Sequence, residues 1–422
     1  LFLPLNDLIE EYGVETKKMF DASPNVRDLI TAPDGNIYGM PHVNECYHCT
    51  LSQKLWINKI WLDNLGLEVP TTTEELYQVL KAFKEQDPNG NGIADEIPLA
   101  GAISGWNTNI DGFLMNPFIY SNHYNGNNYL TLENGQIDAA FNKPEWKDGL
   151  KFLRRLAEEG LLSDQTFTQD GGQLKQMGEN PDVAILGAAP HGSMTGFTQA
   201  YGESERWLTY ISVPALEGPT GNRVAAHDPF RVSSGRFIIT SAAANPEVAF
   251  RWADGFYDRE TTLRSVFGAR LGEDWRWADD GEIGINGLPA IWNRGETFGQ
   301  VNNFAWSQAG ISYRPNELRL GEVADNPERN LEVLLYDASK ENYEPYQRPF
   351  DQLIPPLFFD EAQSLELADM SVGINDYVKE MVARFVTGEA DIDAEWDDYL
   401  ATLDSLGLAR YIEIHQEAFD AK

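Results

Sequence analysis

Apolar residues along this 422-residue chain recur with two different periods, and the switch between them sets the expected elements. In "PTTTEELYQVLKAFKEQ" (70–86), Leu76, Val79, Leu80 and Phe83 fall on one helical face. Thr71 or Thr72, with Glu74 or Glu75 three residues on, supplies a capping box at its start. "NKPEWKDGLKFLRRLAEEG" (142–160) repeats the pattern, with Asn142 near the cap, Pro144 in the first turn and Gly160 as the stop. "NPEVAFRWADGFY" (245–257) does so again, and "LSQKLWINKIWLDNLGL" (51–67) reads as a helix ending at Gly66. The short runs "DVAILG" (182–187) and "RFIIT" (236–240) read as buried strands. "LITAPDGNIYGMP" (29–41) reads as a hairpin turning at Asp34-Gly35. Strands alternating with helices predict an α/β protein with mainly parallel sheets, and the length suits two domains. No repeat, low-complexity tract or Pro/Ser-rich linker interrupts the chain, so two domains would be joined by crossings inside packed structure.

Composition narrows the partners. At 42% hydrophobic and 23% charged the chain is globular, and no apolar run approaches the roughly 20 residues that span a bilayer. Against 66 acidic residues stand 32 basic ones, a formal charge of −34 that repels nucleic acid and anionic lipid surfaces. Two cysteines exclude a disulfide scaffold. They stand as "CYHC", Cys46 and Cys49, beside His42 and His48. A redox site would need this motif to open a helix after a strand, and a zinc site would need a second ligand pair farther along. Local packing or a small disulfide loop is the plainer reading.

"DPNGNGIADE" (87–96) carries chemistry of its own. Counted from Asp87, the oxygen-bearing residues Asn89 and Asn91 occupy places 3 and 5 of an EF-hand loop, Gly92 the sixth, and the Ile93 carbonyl the seventh. The twelfth place, where an EF-hand wants a bidentate Glu, is Pro98. Asp95 and Glu96 close the shell instead, completing a set of hard oxygens suited to a structural Ca²⁺. The plainer alternative is a solvated Asn-Gly turn.

Tryptophans stand in polar, Gly- and Asn-rich surroundings: Trp106 in "SGWNTN", Trp292 in "AIWNRG" and Trp306 in "NNFAWSQ". Sugars present flat C–H faces ringed by hydroxyls, so an aromatic platform edged with amide and charged groups suits a carbohydrate. No GxSxG elbow, P-loop, GxGxxG after a strand or HExxH occurs.

The run "IYGMP…LWINKIWLDNLGLEVPTTTEELYQVLKAFKEQDPNGNGIADEIPL", with "SVPALEGPTGNR", "FIITSAAANPEVAFRWADGFYD" and the tail from "RFVTGEADIDAEW" onward, resembles the family 1 extracellular solute-binding proteins of bacterial ABC importers, of the alginate- and oligosaccharide-binding type. That resemblance implies an α/β, type 2 periplasmic-binding-protein fold of two lobes closing by a hinge over a ligand cleft. It implies a monomeric cell-surface lipoprotein that delivers an oligosaccharide to an ABC permease and catalyses nothing. Calcium binding through both Asp95 and Glu96 is implied as well. By analogy, lobe 1 comprises 1–42 and 236–348 and lobe 2 comprises 43–235 and 349–422 with the calcium loop. Family members begin with a signal peptide, a lipid-modified Cys and a strand-helix-strand portion of the first lobe, and the resemblance implies that this sequence starts inside that lobe. The implied ligand-binding residues are Asn44, Glu45, Tyr47, Trp106, His191, Asp228, Arg231, Trp292, Trp306 and Arg314. The rival readings are a glycoside hydrolase or lyase, and a binder of peptide or of an anionic ligand, the last suggested by Arg231, Arg236 and Arg314.

Overall fold

Short strands form the sheets of two units in the computed structural model, which describes residues 1–122, 129–295 and 303–422. In chain order the strands are β1 (Met40–Asn44), β2 (Leu55–Asn58), β3 (Ile97–Leu99), β4 (Leu130–Glu133), β5 (Gln136–Ala139) and β6 (Leu186–Pro190). They continue with β7 (Tyr210–Val213), β8 (Val232–Phe237), β9 (Trp275–Trp277), β10 (Trp292–Arg294) and β11 (Ser312–Arg314). The first unit comprises residues 1–50, 229–336 and Lys422, and the second comprises 51–228 and 337–421.

These bounds differ from the expected lobes. Residues 43–50 and 229–235 belong to the first unit because β1 runs on to Asn44, pairing with Arg314 of β11, while Val43 pairs with Val232 of β8. Residues 337–348 belong to the second unit, where the Asn342 amide donates to Ser212 Oγ (2.7 Å) and the Tyr343 hydroxyl to the Val213 carbonyl (2.6 Å), both on β7.

The second unit is built on the sheet β3-β6-β2-β7, with a separate β4-β5 hairpin. Helix Thr73–Glu85 packs its predicted face inward, and Leu76, Leu80 and Phe83 are fully buried there. Burying each such side chain is worth roughly 1.5–3 kcal/mol. Its capping box forms as expected: Thr72 accepts from the Glu75 N–H and the Glu75 carboxylate accepts from the Thr72 N–H. Helix Pro144–Glu158 starts with its proline at the first turn and buries Trp146, Leu150 and Leu153 in the same core. The long helix Glu361–Thr387 adds Met381, Phe385 and Val386.

The first unit is built on β11-β1-β8, and its described residues include two smaller apolar clusters. Leu5, Met19, Val26, Met40, Val43 and Phe250 belong to one of them. Phe267, Trp275, Trp292 and Leu318 belong to the other, beside the β9-β10 pair.

Several expectations need correction. The sheets are mixed rather than mainly parallel: β1–β11 and β3–β6 are parallel, whereas β1–β8, β2–β6 and β2–β7 are antiparallel. The stretch 51–67 is strand then helix, since "LWIN" is β2 and only Lys59–Leu65 is helical. Asn58 marks the switch, its Oδ1 accepting from the Ile60 N–H (3.1 Å) and Trp61 N–H (3.3 Å). Gly66 stops that helix at φ 65°, as expected. The strand expected over 182–187 lies later, at β6, and the one over 236–240 lies earlier, at β8. In place of the 29–41 hairpin, helix Pro24–Ile30 runs into the segment, leaving a lone Thr31–Ile37 bridge around the Asp34-Gly35 turn. Pro24 at the start of the helix favours it over a strand.

Candidate functional site

The loop 87–96 connects helix Thr73–Glu85 to β3. It bends through positive φ at Asp87 (48°), Gly90 (72°) and Gly92 (74°), the last two at turns where a side chain would be strained. Asp87 organises the backbone: its Oδ1 accepts from the Asn91 N–H (3.1 Å) and its Oδ2 from the Gly92 N–H (3.0 Å). Asn89 Oδ1 accepts from the Asn91 N–H (3.0 Å) and Asn91 Oδ1 from the Ile93 N–H (2.7 Å). The Asn89 and Asn91 amides donate to Asp95 at 2.9 Å and 3.0 Å. The Asn64 amide donates to the Pro88 carbonyl (2.8 Å), tying the loop to helix Lys59–Leu65.

Two features fit a cation. Glu96 Oε1 is buried with no hydrogen-bond partner. Burial first, then the nearby Asp87 and Asp95 charges, push the Glu96 carboxyl above its ordinary range. An uncompensated carboxylate among other oxygens is what a hard divalent ion relieves. The residues that would hold it are Asp87, Asn89, Asn91, the Ile93 carbonyl, Asp95 and Glu96. Pro98 lies inside β3, so the EF-hand's twelfth place falls in the sheet and cannot supply a ligand.

The expected ligand-binding residues separate into groups. In the first unit Asn44 and Arg314 face each other across β1 and β11, and the Asn44 N–H donates to the Arg231 carbonyl (3.1 Å). Strand alternation places His42 and Ser312 on the same face, which the sequence reading passed over. His42 Nδ1 lies 2.8 Å from Ser312 Oγ. Burial, followed by the charges of Arg314 and Arg236, lowers the His42 pKa to about 4, so this imidazole is neutral at pH 7. The signal available in the sequence was the alternation His42-Val43-Asn44 itself. Glu45 is braced, its Oε1 accepting from Ser23 Oγ (2.8 Å) and its Oε2 from the Asn316 N–H (2.9 Å). Tyr47 rests against Tyr336 with ring centroids 4.9 Å apart.

Cys46 and Cys49 are joined by a disulfide, with the Arg319 guanidinium donating to Cys46 Sγ (3.4 Å). The small-loop reading of "CYHC" is therefore the one realised, and both thiols are consumed. His48 turns its Nε2 toward Glu332 (3.3 Å).

In the second unit Trp106 and His191 meet edge to face at 6.1 Å. Glycines hold both rings: a Cβ on Gly192 would fall 2.4 Å from the Trp106 indole, and one on Gly196 would fall 1.9 Å from His191 Nε2. The Gly192 N–H also donates to the Trp106 carbonyl (2.9 Å). Burial lowers the His191 pKa to about 4, leaving it neutral with its Nδ1 accepting from the Ser193 N–H (3.0 Å). A neutral imidazole beside an indole edge is the aromatic-plus-polar combination that suits a sugar. Asp228 is buried at the end of this unit.

Trp292 and Trp306 stand elsewhere. Trp292 is in the core, 4.4 Å from Phe267 by ring centroids, with its indole N–H used by the Leu318 carbonyl (2.8 Å). It has no face to offer a ligand. Trp306 is half-exposed and stacks on Phe256 at 5.2 Å, next to Trp252.

Comparison with known proteins agrees with this architecture. The bacterial extracellular solute-binding protein family matches residues 1–261. The fructooligosaccharide ABC transporter substrate-binding protein FusA of Streptococcus pneumoniae is 29% identical over 427 aligned positions, spanning 100% of this chain and 76% of FusA. A solved structure of FusA in complex with kestose superposes with a TM-score of 0.79 at 27% identity, over 100% of this chain and 83% of that one. A second FusA structure is described as an EF-hand mutant in complex with fructo-nystose, with a TM-score of 0.77. An HMO-binding, ABC-transporter-associated solute-binding protein from Bifidobacterium longum infantis gives 0.82 at 25% identity, over 100% of this chain and 84% of its own. Each of these relatives is a substrate- or solute-binding protein of, or associated with, an ABC transporter. The α/β two-unit fold and the family match over more than half the chain agree, and this protein belongs to the bacterial extracellular solute-binding proteins.

Proposed function

We propose that this chain is the substrate-binding component of an ABC importer, capturing an oligosaccharide outside the cell for delivery to a membrane permease. The observation that carries the reading is the likeness, over the whole chain, to a substrate-binding protein solved with kestose. The Trp106–His191 corner supports it, since an indole held by Gly192 beside a neutral imidazole offers apolar contact and a hydrogen-bonding edge together. Asn44, Glu45, Tyr47, Arg231 and Arg314 are the ligand contacts proposed in the first unit, and Trp106, His191 and Asp228 those proposed in the second, each unit taken by itself. Hinge closure and a lipid anchor at the cell surface belong to the same proposal and rest on the family resemblance.

Calcium in the loop 87–96 is part of it, supported by the orphaned Glu96 oxygen and by a relative described as an EF-hand mutant. The ion acts as a brace between helix Thr73–Glu85 and β3. Its chemistry there is neutralisation of clustered carboxylates and nothing more.

Titration calorimetry and a thermal-shift screen across defined oligosaccharides test the reading. At least one oligosaccharide raises the melting temperature and binds with a measurable heat, and its chain length is unchanged after incubation. Cleavage of the sugar, or binding of peptides with no sugar bound at millimolar concentration, overturns it.

A further inference from the structure

Arg314 is an anomaly among the buried charges of the first unit. It is 3% exposed, and its guanidinium lies over the Phe267 ring at 5.2 Å from the centroid. The neighbouring arginines have carboxylates: Arg294 Nε is 3.0 Å from Glu322 Oε1, and Arg319 Nη2 is 3.2 Å from Glu332 Oε2. Among the described residues the Arg314 guanidinium has no such carboxylate and donates no hydrogen bond. A contact with a ring face takes up no N–H of the guanidinium as a hydrogen bond, so the donor fork is left for another partner. Burial, then repulsion from Arg319 and Arg294, pushes its pKa well down, and the opposing charges of Glu322 and Glu332 only partly offset this.

An empty acceptor stands beside it. Asn44, the register partner of Arg314 across β1 and β11, has its Oδ1 buried with no hydrogen-bond partner. One face of this sheet thus offers a planar cationic donor fork and a neutral acceptor on adjacent strands. Buried polar groups left unpaired in a native structure call for a missing partner. A neutral sugar could satisfy Asn44 with a hydroxyl proton, but its hydroxyls would leave the charge of Arg314 uncompensated. A carboxylate cancels that charge and matches the fork bidentately. Phe267 backs the guanidinium with its ring centroid 5.2 Å away.

We infer that Arg314 receives a carboxylate, so that the ligand is an acidic oligosaccharide, with a hydroxyl of the same sugar donating to Asn44 Oδ1. This rests on the oligosaccharide reading above and adds the charge class of the ligand. The chain's overall −34 does not forbid it. Exposed charges beyond about 8 Å are screened at physiological salt, whereas a buried arginine acts at contact.

The test uses calorimetry on the calcium-loaded full chain at fixed salt. The probes are galacturonate, guluronate, glucuronate and sialylated oligosaccharides, each paired with its carboxyl methyl ester, together with neutral kestose. An acidic probe is expected to bind at least tenfold more tightly than its ester. Arg314→Gln is expected to abolish that preference, and Arg314→Lys, which keeps the charge and loses the fork, to retain only part of it. Circular dichroism and the calcium response of each variant establish that it is folded. Equal affinity for acid and ester, or a preference that survives Arg314→Gln, overturns the inference. Binding of neutral sugars alone overturns it while the oligosaccharide reading stands, and binding of no sugar overturns both.

Discussion

The loop 87–96 in the second unit and the Arg314 face in the first unit both hold a charge without a full set of partners, and they are built in opposite ways. The loop is local. Asp87, Asn89, Asn91, Asp95 and Glu96 lie within a few residues of one another, and side-chain-to-backbone hydrogen bonds shape them. The strand face is assembled from distant segments, with Asn44 and Arg314 brought together only by the parallel pairing of β1 and β11. The loop concentrates negative charge at the surface of its unit, while the other site buries a positive charge over an aromatic ring. A local, solvent-edged cluster suits a small ion that braces structure. A buried, rigidly backed donor suits a ligand that must be recognised. The difference teaches that one kind of anomaly, an orphaned polar group, can serve stability in one place and selectivity in another.

The sharpest way to break the comparison is Arg314→Gln. Loss of a charge-assisted bidentate contact is worth about 1.5–3 kcal/mol, or roughly 10- to 150-fold in affinity. Calorimetry should show that loss for the ligand with calcium affinity unchanged. In the ligand-free protein the same substitution should leave the melting temperature equal or higher, because it removes an uncompensated buried charge. A large fall in the free protein's melting temperature would mean that Arg314 braces the structure instead.

Chelation probes the other region. An ion present at about 100 times its dissociation constant adds about 2.7 kcal/mol of stability. At roughly 2–4 °C per kcal/mol for a unit of this size, chelator should lower the melting temperature by about 5–10 °C, and calcium should restore it. Glu96→Gln should reproduce most of that fall and blunt the response to chelator, with ligand affinity within about threefold of wild type. An unchanged melting temperature would dispose of the clip.

Acid and base should act on the two regions with opposite sign. In the ion-free loop the raised Glu96 carboxyl holds its proton longer than in the unfolded chain. That stability is present below the ordinary carboxylate pKa and is lost as pH rises through the raised one. Calcium displaces the same proton, so its affinity should rise across that window by up to about tenfold per pH unit and then level off. His42 behaves conversely, since its folded pKa is lowered from 6.5 to about 4. Its contribution is present above 6.5 and is lost as pH falls toward 4, so acidification should lower the melting temperature less in His42→Asn than in wild type. Melting curves across this pH range, with and without calcium, check both signs.

The smallest effect is a control. Thr72→Ala removes the capping box of the helix leading into the loop and should cost about 1 kcal/mol by denaturant titration, equally with and without calcium. A calcium-dependent cost would show that the helix and the loop are coupled more tightly than their separate hydrogen bonds imply.

What could be read from the chain alone follows the same division. The helices Thr73–Glu85 and Pro144–Glu158 were legible because caps, prolines and 3.6-residue periodicity act within a few residues. The positions and glycine turns of the calcium loop were legible for that reason too. "LWIN" was misread as helix because its strand identity comes from β6 and β7 on either side, more than a hundred residues away in sequence. Trp292 and Trp106 both sit among Asn and Gly in the sequence, and only packing distinguishes the core indole against Phe267 from the one seated on Gly192.

The sequence by itself determined the local devices: helix ends, the oxygen-rich loop, the acidic balance and the membership of the solute-binding family. The tertiary structure decided which polar residues are left without partners. Hydrogen-bond satisfaction depends on every neighbour at once, so the empty donor fork of Arg314 and the empty acceptor of Asn44 exist only after β1 and β11 have paired and Phe267 has packed beneath them.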